Sequence, residues 1–265
     1  MSLTLEPRTV PLRLRSALVR GLLAGLVAGV LAGGVGFWTG EALIDQAIAL
    51  ENTETTDHHH TAGSTTEPHD HKHSDEEVLI PRDVQRAGLV LATALTGAAT
   101  GMIFASIWFL KSRRSRLDQP LDGIMPLAVS GWVAVAAVPW LVIPPNPPAL
   151  GSSDSIDYRT GLWLLAVLLG LAALIIWFVL KKWIDSRTGQ SSAVSNGIPV
   201  LAAIAIVLLG WQMLPASSVD YAGFPGDLLW NFRLASAATQ LTLWLSMGLV
   251  FQFLMERSAR KSARL

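Results

Sequence analysis

The stretch GLWLLAVLLGLAALIIWFVL, residues 161–180, is twenty residues long and contains no charged side chain. A helix rises 1.5 Å per residue, so twenty residues match the roughly 30 Å hydrocarbon core of a bilayer. Lys181 and Lys182 close the stretch on one side and Arg159 stands just before it on the other. This pattern reads as a membrane-spanning helix, and the rest of the chain is best read outward from it.

Five further segments have similar length and apolarity: 17–38, 87–110, 124–143, 198–214 and 234–254. The composition agrees, with 51% hydrophobic and only 15% charged residues, as expected of an integral membrane protein. The expected fold is therefore an all-α membrane domain of six transmembrane helices occupying residues 1–265. Pro126 and Pro139 fall inside the short third segment, so a five-span arrangement with that segment re-entrant is the alternative. The first segment, with AIA at 47–49, could also be read as a cleaved signal peptide. Its length favours a retained anchor over a signal h-region of about 7–15 residues.

The 20 basic and 20 acidic residues cancel in number but not in position. Arg8, Arg13, Arg15 and Arg20 lead the first helix, and Lys111, Arg113, Arg114 and Arg116 fill the second loop. Lys181, Lys182 and Arg187 fill the fourth, and Arg257, Arg260, Lys261 and Arg264 the tail. These alternate segments hold fifteen of the basic residues, while the first, third and fifth loops hold fifteen of the acids. Lys and Arg are retained on the cytoplasmic side. Both termini, 1–16 and 255–265, are thus expected in the cytoplasm, and the 40–86 loop outside it.

All six histidines lie in that loop, within DHHHTAGSTTEPHDHKHSDEE, residues 57–77. His58, His59 and His60 form one donor group. His69, His71 and His73 alternate with Asp70 and Lys72, so an extended chain puts the three imidazoles on one side. Asp57, Asp70 and Asp75 supply nearby oxygen. The chain has no cysteine, which excludes thiolate sites. Imidazole with carboxylate suits borderline divalent ions such as Co²⁺, Ni²⁺ and Zn²⁺. Protonation near the reference histidine pKa would release them. A pH-sensing loop and an inert polar spacer are the competing readings, though neither requires this chelating spacing.

Behind the loop, the spans carry no Asp, Glu or His at their centres, which argues against a self-sufficient coupled transporter. Gln212, Gln240, Gln252, Met102, Met125, Met213 and Met247 are the notable donors in or near them. An access path is expected from Glu41, Asp45, Asn146, Asp154, Asp157 and Arg233, near the ends of the spans. Asn146 belongs to PWLVIPPNPPAL, 139–150, whose prolines should form a stiff corner. Arg233 needs a counter-charge at the membrane boundary, for which Asp227, Asp157 and a lipid phosphate are the candidates. Gly21, Gly25, Gly29 and Gly33 recur every fourth residue in the first helix, and Gly97 and Gly101 form one such pair in the second. That spacing marks helix faces suited to close packing, within the bundle or between copies in a homo-oligomer. Trp38, Trp108, Trp140, Trp163, Trp183 and Trp230 lie near segment ends, as interfacial tryptophans do.

The whole pattern resembles the CbtA family of predicted cobalt transporter subunits. The resemblance rests on the glycine-rich first helix, the acidic histidine-bearing loop, PPNPPAL followed by DSIDYRTGLWL, and FRLASAATQLTLWLSMGLVF at 232–251. It implies cobalt uptake linked to cobalamin synthesis, together with a small single-span subunit, CbtB. That family is usually described with five spans, whereas the charge alternation here favours six. No Walker A sequence is present, so any ATP use belongs to another chain. No nucleophile with its base is identifiable, so no enzymatic activity is expected. No nucleic-acid partner and no tightly bound cofactor are expected either; the ion is cargo. A multi-pass protein of the inner (plasma) membrane results, with a metal sensor or scaffold that does not transport as the alternative function.

Overall fold

A computed structural model describes residues 14–57, 81–115, 120–148, 150, 156–188, 193–215, 219 and 221–262. Its elements are helices throughout, with no strand among the described residues. In chain order they are α1 (Leu14–Asp57), α2 (Arg82–Ser115), a 3₁₀ turn (Pro120–Gly123), α3 (Ile124–Trp132), a π-helical turn (Val133–Ala137), α4 (Val138–Val142), α5 (Ile156–Thr188), α6 (Ala193–Met213) and α7 (Gly226–Ser262). Six helical rods are long and apolar enough to cross a membrane, with α3, the π turn and α4 joined as one rod, Ile124–Val142. The third segment is thus a full-length rod.

Helix α1 departs from expectation. Its 44 residues extend roughly 66 Å at 1.5 Å per residue, about twice the hydrocarbon core. The first part of the expected 40–86 loop is therefore helix, continuing through Asp57. EALIDQAIALEN, 41–52, is rich in good helix formers, and Glu41 and Asp45 are pinned by arginines from α2.

The kink-prone third rod has an identifiable cause. Pro139 has no N–H and its ring crowds the carbonyl one turn back, so the α ladder cannot pass through it. The chain widens ahead of it, and the Val138 N–H bonds to the Val133 carbonyl, five residues back. Pro126 sits in the first turn of α3, where proline is tolerated.

The described residues pack as two compact units. One holds those of Met1–Gly33, Val90–Val129 and Thr242–Leu265, and the other those of Gly34–Leu89 and Ser130–Leu241. In the first unit α1 and α2 meet backbone to backbone. A Cβ on Gly21 would strike the Gly101 carbonyl oxygen, one on Gly25 the Gly97 carbonyl oxygen, and one on Gly29 the Thr93 carbonyl oxygen. Gly33 faces the Thr93 hydroxyl. Side chains are absent where they would hold the helices apart, so the packing gains dispersion over a long seam. Phe251 of α7 packs edge-on against Phe104 and Trp108, with ring centroids at 5.5 and 5.4 Å. Trp108 is consequently buried rather than part of an interfacial belt. Arg20 ties α1 to α7 through Ser258 Oγ at 2.6 Å and Met255 Sδ at 3.4 Å.

In the second unit the π turn forms a seat for α5. Ala134 and Ala166 are fully buried, and a Cβ on Gly170 would lie 2.9 Å from the Ala134 Cα. Val138, Val142 and Ala166 form a small core beside it. Helix α6 follows α5 through a polar corner in which Lys181 donates to Asn196 at 2.8 Å and the Ser195 hydroxyl donates to Asp185. Outward from these seams the helices expose large apolar side chains, including Ile103, Val179, Leu201 and Leu209. That surface would be costly in water and is the natural one in lipid.

Candidate functional site

Glu41 and Asp45 are four residues apart on α1, and Arg82 and Arg86 are four apart on α2. A spacing of four puts each pair on one helix face, and in the second unit the two faces meet. Arg82 donates from Nη2 to Glu41 Oε2 at 2.9 Å and from Nε to Asp45 Oδ1 at 3.0 Å. Arg86 donates from Nε to Glu41 Oε2 at 3.3 Å and from Nη2 to Asp45 Oδ2 at 2.5 Å. Each guanidinium therefore touches both carboxylates, and the quartet carries no net charge. Glu41 is buried at 8% exposure, which makes it dependent on its partners: a buried carboxylate without a cation is strongly disfavoured.

The quartet clamps the first turns of α2 to α1 about three turns before α1 ends at Asp57, ahead of the histidine-bearing segment. His58, His59, His60, His69, His71, His73, Asp70, Asp75 and Asp154 lie outside the described residues, as does the side chain of Asp57, the last residue of α1. Among the described residues no group of three or more His, Asp or Glu side chains could hold a metal ion. Glu41 and Asp45 are thus brought together, but with arginines rather than with further ligands. Arg82 and Arg86 are two of the five basic residues outside the basic-rich segments. Their matching four-residue spacing on either side of the loop is the signal that identifies them as partners.

The other expected residues assemble elsewhere in the second unit. The Pro145 carbonyl and Asn146 Oδ1 accept from Arg233, at 3.4 and 3.2 Å, and the Tyr221 hydroxyl lies 3.4 Å from Arg233 Nη2. Trp140 Nε1 donates to the Arg233 carbonyl at 3.0 Å. The proline corner and the start of α7 are thereby joined. Neither Asp157 nor Asp227 forms an ion pair with Arg233 among the described residues. Asp157 is exposed in the first turn of α5, where a carboxylate is favoured by the helix dipole.

A family model described as probable cobalt transporter subunit (CbtA) matches residues 14–256. The chain belongs to the CbtA family. The match begins with α1, ends in α7 and takes in all or most of each rod long and apolar enough to cross a membrane. No curated protein and no solved structure matches the chain. Family membership and six apolar rods make this a multi-pass inner-membrane protein of a cobalt transport family. A subunit implies partners, and the exposed apolar helix faces imply lipid.

Proposed function

We propose that this CbtA-family chain is the membrane subunit of a divalent-metal uptake system, with Co²⁺ as cargo captured on the segment between α1 and α2. Both termini lie in the cytoplasm in this reading, by the alternation of basic residues, so the histidines meet metal outside the cell. His58, His59, His60, His69, His71 and His73 bind, assisted by Asp57, Asp70 and Asp75. The observation that carries the reading is the concentration of every imidazole of a cobalt-transporter-family chain between two helices that an ionic quartet clamps together.

The quartet gives the capture segment a fixed base. Arg82 and Arg86 neutralise Glu41 and Asp45, so those carboxylates hold the start of α2 against α1 and leave cation binding to the histidines. A CbtB-like single-span subunit completes the system, and any ATP is used by another chain. Co²⁺ accumulation in cells tests the reading: expression of the chain with its partner should raise uptake of radiolabelled Co²⁺ above vector controls. Unchanged accumulation would instead support a sensor or scaffold that binds metal without moving it, a reading favoured by the lack of a ligand cluster among the described residues of the spans.

A further inference from the structure

Arginines outside the basic-rich segments have unequal partners. Arg82 and Arg86 close onto carboxylates. Arg233, in the second turn of α7, does not. Its Nε reaches the Pro145 carbonyl at 3.4 Å, and its Nη2 reaches Asn146 Oδ1 at 3.2 Å and the Tyr221 hydroxyl at 3.4 Å. The guanidinium carbon also lies 5.6 Å from the Tyr221 ring centroid. All these groups are neutral, and all three bonds are longer than the roughly 2.7–2.9 Å of a charge-assisted pair. Nη1 has no partner among the described residues. Among the described residues the side chain is therefore oriented without being neutralised.

Its surroundings indicate what completes it. Arg233 directly precedes the apolar segment 234–254, at the level where headgroups meet hydrocarbon. Trp140 and Trp230 pack 6.3 Å apart at its base, and Trp230 and Tyr221 are exposed. Amphipathic aromatics of this kind belong at the membrane interface. A positive charge there that no described carboxylate neutralises has the wrong sign to attract Co²⁺ and the right one for an oxyanion. We propose that Arg233, positioned by Asn146 and Tyr221, binds the phosphate of a phospholipid headgroup. The planar guanidinium fork fits two phosphate oxygens, and Trp230 supports the glycerol and upper acyl region. Free phosphate shares this oxyanion chemistry, but the position beside hydrocarbon selects the lipid.

Native mass spectrometry of the purified, delipidated full chain tests this, with phosphatidylglycerol added back in detergent. Wild type should retain one lipid molecule that Arg233→Gln holds about tenfold more weakly, the order expected for loss of charge-assisted bonds. Asn146→Asp keeps the arginine but supplies a carboxylate against it, so it should lose the same lipid while folding at least as stably; it decides the matter if Arg233→Gln does not fold. Diacylglycerol of the same chains should not substitute, and millimolar inorganic phosphate should not displace the lipid. Equal retention by wild type and Asn146→Asp, equal binding of diacylglycerol, or displacement by inorganic phosphate would each overturn the proposal.

Discussion

Gly25 of α1 lies so close to Gly97 of α2 that a Cβ on Gly97 would come within 2.8 Å of the Gly29 Cα and strike the Gly25 carbonyl oxygen. The obstructing atoms are backbone, which cannot rotate away. Gly97→Val should therefore cost about 3 kcal/mol or more, at or above the upper end of ordinary overpacking. Gly34→Ala is the matched control, since a Cβ there meets nothing within 4 Å; it should be neutral or stabilise by up to about 1 kcal/mol. Unfolding of the purified chain in mixed micelles measures both. Equal effects would contradict the close α1–α2 seam.

Gly170 presents the same logic at the π turn. In most helix interiors, Gly→Ala stabilises by roughly 0.5–1 kcal/mol. Here the new methyl would lie 2.9 Å from the Ala134 Cα, so Gly170→Ala should destabilise, by about 1–3 kcal/mol. The sign of the change in the same unfolding assay is the test.

Arg82→Ala removes the closest cation from buried Glu41 and should destabilise the chain by about 2 kcal/mol. That is less than the roughly 3–5 kcal/mol of a fully buried broken pair, because Arg82 is partly open to solvent and Arg86 remains. Arg82→Glu should be worse, and adding Glu41→Arg alone should not rescue it, because Asp45 and Arg86 would then face like charges; reversing all four charges together should recover much of the loss. A double-mutant cycle in thermal unfolding measures the coupling; additive effects would mean that the quartet is not an energetic unit.

Much of this architecture is legible in the residues. A run such as 161–180 needs no neighbour to be recognised, because the bilayer sets its length and polarity. The four-residue glycine spacing likewise marks a face, although only the structure supplies the partner atoms at Gly97, Thr93 and Gly101. What escapes sequence reading depends on contacts across the chain. The continuation of α1 past residue 40 brings Glu41 and Asp45 against Arg82 and Arg86, whereas acidic residues between 40 and 57 look like loop when taken alone. The π turn at Val133–Ala137 reflects both Pro139 and the α5 surface against it. Arg233 invites a carboxylate partner on charge grounds, and among the described residues the proline corner provides Asn146 and a carbonyl.

Metal capture makes a prediction about concentration. Replacing His58, His59, His60, His69, His71 and His73 with Ala removes every imidazole of the chain while leaving the helices and the quartet intact. The most direct measurement is initial-rate uptake of radiolabelled Co²⁺ by cells expressing the wild-type or six-alanine chain with its partner subunit, over a range of metal concentrations at neutral pH. The capture account predicts that the variant loses uptake at low Co²⁺, by about tenfold for each 1.4 kcal/mol of metal binding lost, and recovers the wild-type rate at saturating Co²⁺. Identical uptake curves for the two chains would contradict it.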